Sequence, residues 1–266
     1  MKNIFKVLVL IALFVVYGFS ASNGEVKEIL KLSGLNKQIA SLPAMVEAGA
    51  RQARATRADG VSDEEFVKIL AIIKSAFEPT VILDAVSKGV QKDISSKDAQ
   101  NLISWFKSKL GKKIVLEETK ASSANSMQEM LQSAKELLSN HSRVALAIEL
   151  DKLTHSSKIQ ANMMLNMRLA MVESFAKESQ KENIKQQLIS QQNRVIEYAK
   201  KMSIISFLYV YRNLSINDIK KYINFLKTPS AQKFNDSFIK SYSNEMDIAV
   251  KKMAKDLAIL KAKYKQ

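Results

Sequence analysis

The sequence predicts an all-α protein, a multi-helix bundle built from two similar helical halves. Three observations carry this. Gly and Pro number only 7 and 3 of 266 residues, against a combined average usage of roughly 12%. The turns of a many-stranded sandwich or barrel call for such residues every ~8–12 positions. All seven glycines (Gly18, Gly24, Gly34, Gly49, Gly60, Gly89, Gly111) lie in the first 111 residues, and beyond them apolar residues recur at helical spacing between Ser, Thr and Asn caps.

In chain order, Lys2 and Lys6 precede an apolar run of 13 residues from Val7 to Phe19. Gly18-Phe19-Ser20-Ala21-Ser22 then supplies small residues for cleavage after Ser20 or Ser22, the pattern of a secretory signal peptide. An uncleaved anchor is the alternative, but the run is shorter than the roughly 20 apolar residues of a membrane span. The expected organisation is a signal peptide over 1–22, a first helical repeat over 23–140, and a second over 141–266 ending in a long basic helix. The expected location is periplasmic or secreted. Removing 1–22, which holds two lysines and no acids, takes the formal net charge from +15 to +13.

Val26 to Ser33 reads as a helix closed by Gly34 as its C′ residue. Asn36 to Arg57 reads as the next, with Pro43 near its start or kinking it. Ser62-Asp63-Glu64-Glu65 is a capping box opening a helix from Glu64 to Ala76, and Pro79 begins a further segment. Ile94 to Ser108 aligns with Leu214 to Thr228 at an offset of 120 residues. Ser95/Ser215, Asp98/Asp218, Ile103/Ile223 and Lys107/Lys227 are identical, and Trp105/Phe225 and Ser108/Thr228 are alike. Each copy reads as an S-x-x-D cap, a helix with an aromatic–apolar pair near its end, and a Ser/Thr cap on the following helix. In the second copy Pro229 takes N1, where its missing N–H costs nothing.

The run Phe225-Leu226-Lys227-Thr228-Pro229-Ser230-Ala231-Gln232-Lys233 resembles the F-[YL]-x-[ST]-P-x-[GA]-x-K segment of a bacterial family of exported helical proteins of unknown function. Leu32 to Pro43 resembles that family's opening helix. The second copy has Ala231 in place of the more usual glycine, and the first has Lys109 in place of proline. The resemblance implies an all-α exported protein without an established activity and gives no catalytic residues.

Composition excludes several chemistries. Without Cys there is no disulfide, thiolate nucleophile or Cys zinc site. His141 and His155 lack an H-E-x-x-H context. No G-x-S-x-G, Walker loop or dinucleotide fingerprint is present. S-x-x-K at Ser104/Lys107, Ser174/Lys177, Ser230/Lys233 and Ser237/Lys240 is what a Ser- and Lys-rich chain yields by accident. Met163, Met164, Met167 and Met171 are expected to fill core gaps rather than ligate Cu(I); no metal and no cofactor is expected. Asp63-Glu64-Glu65 and Glu117-Glu118 are explained by helix N-termini and solvated faces.

The basic charge points to an anionic partner. Only seven of 41 basic residues are arginines, so sequence-specific nucleic-acid reading is not expected. Ile239, Tyr242, Met246, Val250, Met253, Leu257, Leu260 and Tyr264 form one apolar stripe. Lys251, Lys252, Lys255, Lys261, Lys263 and Lys265 lie on the other faces of that helix. Arg51, Arg54 and Arg57 form a second basic edge. The C-terminal helix either packs on the bundle with its lysines solvated, which is the favoured reading, or docks on anionic envelope lipid or polymer as a peripheral contact. The functional expectation is a non-enzymatic binding or interaction protein of the cell envelope, engaging an anionic component or a protein partner. The alternatives are a holdase-like periplasmic chaperone and a hydrolase with a spatially assembled carboxylate site.

Overall fold

The computed structural model describes residues 20–56, 62–121 and 126–264. The apolar run up to Phe19, which was expected to direct export, and Arg57 and Lys265 lie outside the described residues. Thirteen helices follow one another among the described residues: α1 (Asn23–Leu32), α2 (Leu35–Thr56), α3 (Asp63–Ala76), α4 (Pro79–Asp93), α5 (Ser96–Lys107), α6 (Lys109–Lys120), α7 (Ser126–Ser139), α8 (His141–Thr154), α9 (Ser156–Phe175), α10 (Glu178–Ser190), α11 (Gln192–Val210), α12 (Ile216–Leu226) and α13 (Pro229–Tyr264). The chain is an all-α, multi-helix protein.

Helix ends follow the cap chemistry. Ser22 caps α1 in a full capping box with Glu25, and Ser95 does the same for α5 with Asp98. Ser62 accepts from the Glu65 amide at 3.1 Å; the return bond is absent, and this is a single cap rather than the expected box. Gly34 sits at φ 78° directly after the α1 C-cap Ser33, the left-handed position that closes a helix. Pro43 lies well inside α2, which continues past it. Where the glycine-free half needs a left-handed residue, His155 supplies it at φ 53° between α8 and α9. Asp151 secures that junction, its carboxylate accepting from the Ser157 amide at 2.8 Å and from the Ser203 hydroxyl of α11 at 2.6 Å.

The 36-residue α13 is about 54 Å long at 1.5 Å per residue. Its buried face, including Met246, Val250 and Met253, joins residues of α1, α3, α4 and α5 in the largest hydrophobic cluster. Segments 23–140 and 141–266 thus contribute to one core. A second cluster unites Ile114 of α6, Leu146 and Leu150 of α8, and Ile219 and Ile223 of α12. Met163, Met167 and Met171 pack on the first cluster, whereas Met164 faces Val195 and Ala199, so the methionines are divided between two apolar environments. No helix among the described residues is long and apolar enough to cross a membrane.

Gly111 marks the closest backbone approach at a helix corner. A Cβ there would lie 2.2 Å from the Trp105 carbonyl oxygen and 2.9 Å from the Phe106 Cα. Gly49, inside α2, has nothing within 4 Å of the same position. Gly111→Ala is expected to lower stability by roughly 1–3 kcal/mol, because backbone must move. Gly49→Ala is expected to raise it by about 0.5–1 kcal/mol through helix propensity. Urea unfolding of the two variants should shift the midpoint in opposite directions.

Candidate functional site

The two copies of the repeated motif meet. Trp105 and Phe225, equivalent positions 120 residues apart, stack with centroids 3.8 Å apart and planes 10° from parallel. Lys233 of α13 reaches Asp98 of the first segment at 3.1 Å, and Lys113 of α6 reaches Asp218 of the second at 2.8 Å. Ser108 caps α6 by accepting from Gly111, and Ser215 caps α12 by accepting from Asp218. Thr228 occupies the cap of α13, with Pro229 directly after it.

The two corners differ at their carboxylates. Asp98 is buried, and its Oδ2 accepts from the Ser95 amide and hydroxyl as well as from Lys233. Its Oδ1 accepts from the Ser230 hydroxyl at 2.8 Å, and Ser230 in turn accepts from the Asn101 amide at 3.1 Å. Burial works to raise this carboxyl; the bonds from Ser95, Ser230 and Lys233 outweigh it and hold it at about 2. Asp218 is more open and lowered chiefly by Lys113. A cleft of about 730 Å³ opens beside Asp98, lined by Trp105 and Phe225, by the hydroxyls of Ser95, Ser104, Ser108, Thr228 and Ser230, and by Lys97 and Lys233. Lys97 and Asp98 stand in the first turn of α5, Ser108 at the start of α6, and Pro229 and Ser230 in the first turn of α13.

This arrangement can hold a ligand but is poorly suited to hydrolysis. A carboxylate at about 2 is a weak base at neutral pH. Ser230 donates to Asp98 and Lys233 pairs with it, so their S-x-x-K spacing does not set up a lysine-activated serine. Among the described residues no group of three or more His, Asp or Glu side chains is placed to hold a metal ion.

Several of the basic residues have partners within the fold. Arg51 pairs with Glu47 at 2.7 Å and Arg54 with Asp63 at 2.7 Å, and the Arg54 guanidinium lies 4.5 Å from the Phe66 ring centroid. Arg54 links α2 to α3 through Asp63 and the Phe66 ring, whereas Arg51, paired with Glu47 of its own helix, stays exposed. Lys252 donates to the Ser75 hydroxyl at 2.8 Å and lies 3.5 Å from Asp256. Lys251, Lys255, Lys261 and Lys263 are exposed on α13, whose apolar stripe packs on the bundle.

One site has no motif in the sequence. Glu117 and Glu118 lie near the end of α6, not at a helix start, and neither is on a solvated face. Glu117 is buried and accepts from Lys120 and Asn213. Glu118 Oε1 accepts from the Tyr211 hydroxyl at 2.6 Å and from Tyr222 at 3.3 Å. Burial pushes the Glu118 carboxyl up to about 7 against the opposing effect of both hydroxyls. It raises the two phenols as well, aided by the Glu118 charge. Glu118 borders a groove of about 450 Å³ between α2 on one side and α11 and α13 on the other.

Comparison with protein-family models, with curated proteins and with solved structures gives no match for this chain.

The raised Glu118 fixes the sign of a pH dependence. Below the ordinary value of 4.5 the group is protonated in folded and unfolded chains, so its stability is fully present; it is lost as pH rises towards about 7, because the unfolded chain ionises first. The loss at higher pH is roughly 3 kcal/mol. Glu118→Gln is expected to flatten this dependence and to be more stable than the parent above neutrality. Denaturant midpoints of both chains at about pH 5 and about pH 8 check it.

Proposed function

We propose that the chain acts by binding rather than by chemistry, as an exported protein of the cell envelope that holds an anionic, hydroxyl-rich component in the cleft between its two helix corners. The observation that carries this reading is the convergence of three helix starts and two lysines on one cleft beside Trp105. Helix N-termini carry partial positive charge and unpaired amides, which favour anions. Lys97 and Lys233 outnumber Asp98 among the cleft's charged residues. The indole supplies a flat apolar wall, and the surrounding hydroxyls match a ligand rich in hydroxyl groups. A phosphorylated or uronic-acid glycan has this chemistry. The holdase alternative draws less support, because a groove of about 450 Å³ is the size of a small-ligand site rather than a broad apolar surface.

Export and cleavage belong to the same reading, and local packing favours one of the two cleavage positions. Ser22 caps α1, Ala21 is buried, and the Ala21 nitrogen donates to the Ile94 carbonyl at 3.0 Å. Cleavage after Ser22 would remove all three features, whereas cleavage after Ser20 keeps them. The intact mass of the mature chain is therefore expected to correspond to an N-terminus at Ala21. A mass retaining Met1 overturns the cleavage reading, and one beginning at Asn23 overturns the choice of position.

Trp105 is the chain's only tryptophan, so its fluorescence reports directly on the cleft. Titration with an acidic oligosaccharide such as oligogalacturonate is expected to change the emission, with affinity falling several-fold between low and physiological salt. Neutral maltohexaose should leave the emission unchanged. Lys97→Ala, which removes a cleft cation outside the Asp98 network, should weaken the acidic ligand by a few fold. No response to the acidic glycan, or an affinity indifferent to salt, contradicts the proposal.

A further inference from the structure

A cavity of about 440 Å³ lies in the seam between α9 and α13. Its α13 wall begins at Asp247, about 26 Å along the helix from Ser230 of the corner cleft at 1.5 Å per residue. Leu169 and Ala170 of α9 and Val250 of α13 give it an aliphatic lining, and its charged residues are Glu173, Asp247 and Lys251. Glu173 is engaged from α10, by Lys185 and by Lys181 at 3.7 Å. Asp247 and Lys251 stand one turn apart on α13 with the acid first, the order that favours an ion pair along a helix. The pair does not close, and among the described residues no ion pair joins either of them to another charge. Asp247 instead accepts from the Asn166 amide of α9 at 2.5 Å, across the seam.

From this unclosed pair beside an aliphatic wall, we infer that the cavity binds a free α-amino acid with an aliphatic side chain. Its ammonium meets Asp247, its carboxylate meets Lys251, and its side chain covers Leu169, Ala170 and Val250. The two charges of such a ligand sit on one carbon, so one small molecule bridges the gap that Asp247 and Lys251 leave open. Asp247 is half-buried, where a charge-assisted hydrogen bond is stronger than in open water. A carboxylate accepts several donors, so the Asn166 amide holds it in place across the seam without using up its capacity. With Glu173 held by two lysines, one charge of each sign remains for a ligand. That selects a zwitterion over a simple cation or anion. Removal of the aliphatic body from water favours a branched side chain over none. A volume of about 440 Å³ lies in the ordinary range for small-molecule pockets.

Calorimetric titration of the full mature chain at neutral pH tests each part of the ligand separately. L-Leucine is compared with isoamylamine, which lacks its carboxylate, with isocaproate, which lacks its ammonium, and with glycine, which lacks its side chain. Leucine is expected to bind more tightly than each of the three, by several-fold or more. Asp247→Asn should weaken leucine by about tenfold or more and abolish its advantage over isocaproate. Lys251→Met, at an exposed position, should weaken leucine several-fold and abolish its advantage over isoamylamine. Thermal melting establishes that each variant is folded, and the Lys251 comparison stands by itself if loss of the Asn166–Asp247 bond unfolds the other. Leucine binding no tighter than any one of the three, an advantage that survives its matching substitution in a folded chain, or no leucine binding at millimolar concentration overturns the assignment. None of these outcomes depends on the corner cleft, which Trp105 fluorescence reads independently.

Discussion

Burial of the α13 stripe is the interaction on which the other packing arrangements rest. Met246, Ala249, Val250, Met253 and Ala254 are all nearly inaccessible and belong to the same cluster as Val86 and Val90 of α4 and Phe66 and Leu70 of α3. Residues of α9 pack on this cluster as well. Removing such a set from water is the dominant favourable term in folding. A helix of this length also transmits position. Its first turn forms the Thr228–Pro229 corner beside Trp105, and its middle supplies Phe238 and Tyr242 to the apolar groove. At its far end the Tyr264 hydroxyl accepts from Lys68 of α3 at 2.6 Å. Both candidate sites therefore use α13 as a wall.

Two carboxyls in this molecule show how surroundings decide chemical role. Asp98 and Glu118 are both removed from water to some degree, and burial acts to raise each. Asp98 stands at a helix start and receives a backbone amide, two serine hydroxyls and a lysine, so the charged form is fixed. Glu118 stands near a helix end, where the macrodipole does not favour an anion. Two tyrosine hydroxyls approach it, and they do not compensate burial. The first carboxylate organises a corner. The second changes protonation near neutrality.

The caps Ser62, Ser95 and Ser215 were legible because capping is local: each acts on an amide three residues away. Ser22, read as part of a cleavage site, caps α1 in the same way. Gly34 was legible as a helix end for the same reason. The repeat pointed to the corner cleft, since Ser95, Asp98, Trp105, Ser108, Phe225, Thr228 and Pro229 all line it. Ser215 and Asp218 lie outside that lining. Glu118 was not legible, because its tyrosine partners lie 93 and 104 residues away. Its neighbours in sequence are charged, which made the segment read as a solvated face. The pairing along the arginine edge was legible only in part. Arg51, Arg54 and Arg57 look unopposed as a row, although Glu47 is one turn before Arg51 and Asp63 folds back onto Arg54.

By itself the sequence determined the helical class, the helix ends marked by caps or glycine, and the apolar stripe along the C-terminal helix. These follow from backbone chemistry and from periodicity, which act over a few residues. The tertiary structure alone decided which distant groups share an environment. It set the Trp105–Phe225 stack, the Lys233–Asp98 and Lys113–Asp218 pairs, and the approach of the Tyr211 and Tyr222 hydroxyls to Glu118. Desolvation and long-range charge pairing depend on where helices cross in space, and the spacing of residues along the chain carries no record of it.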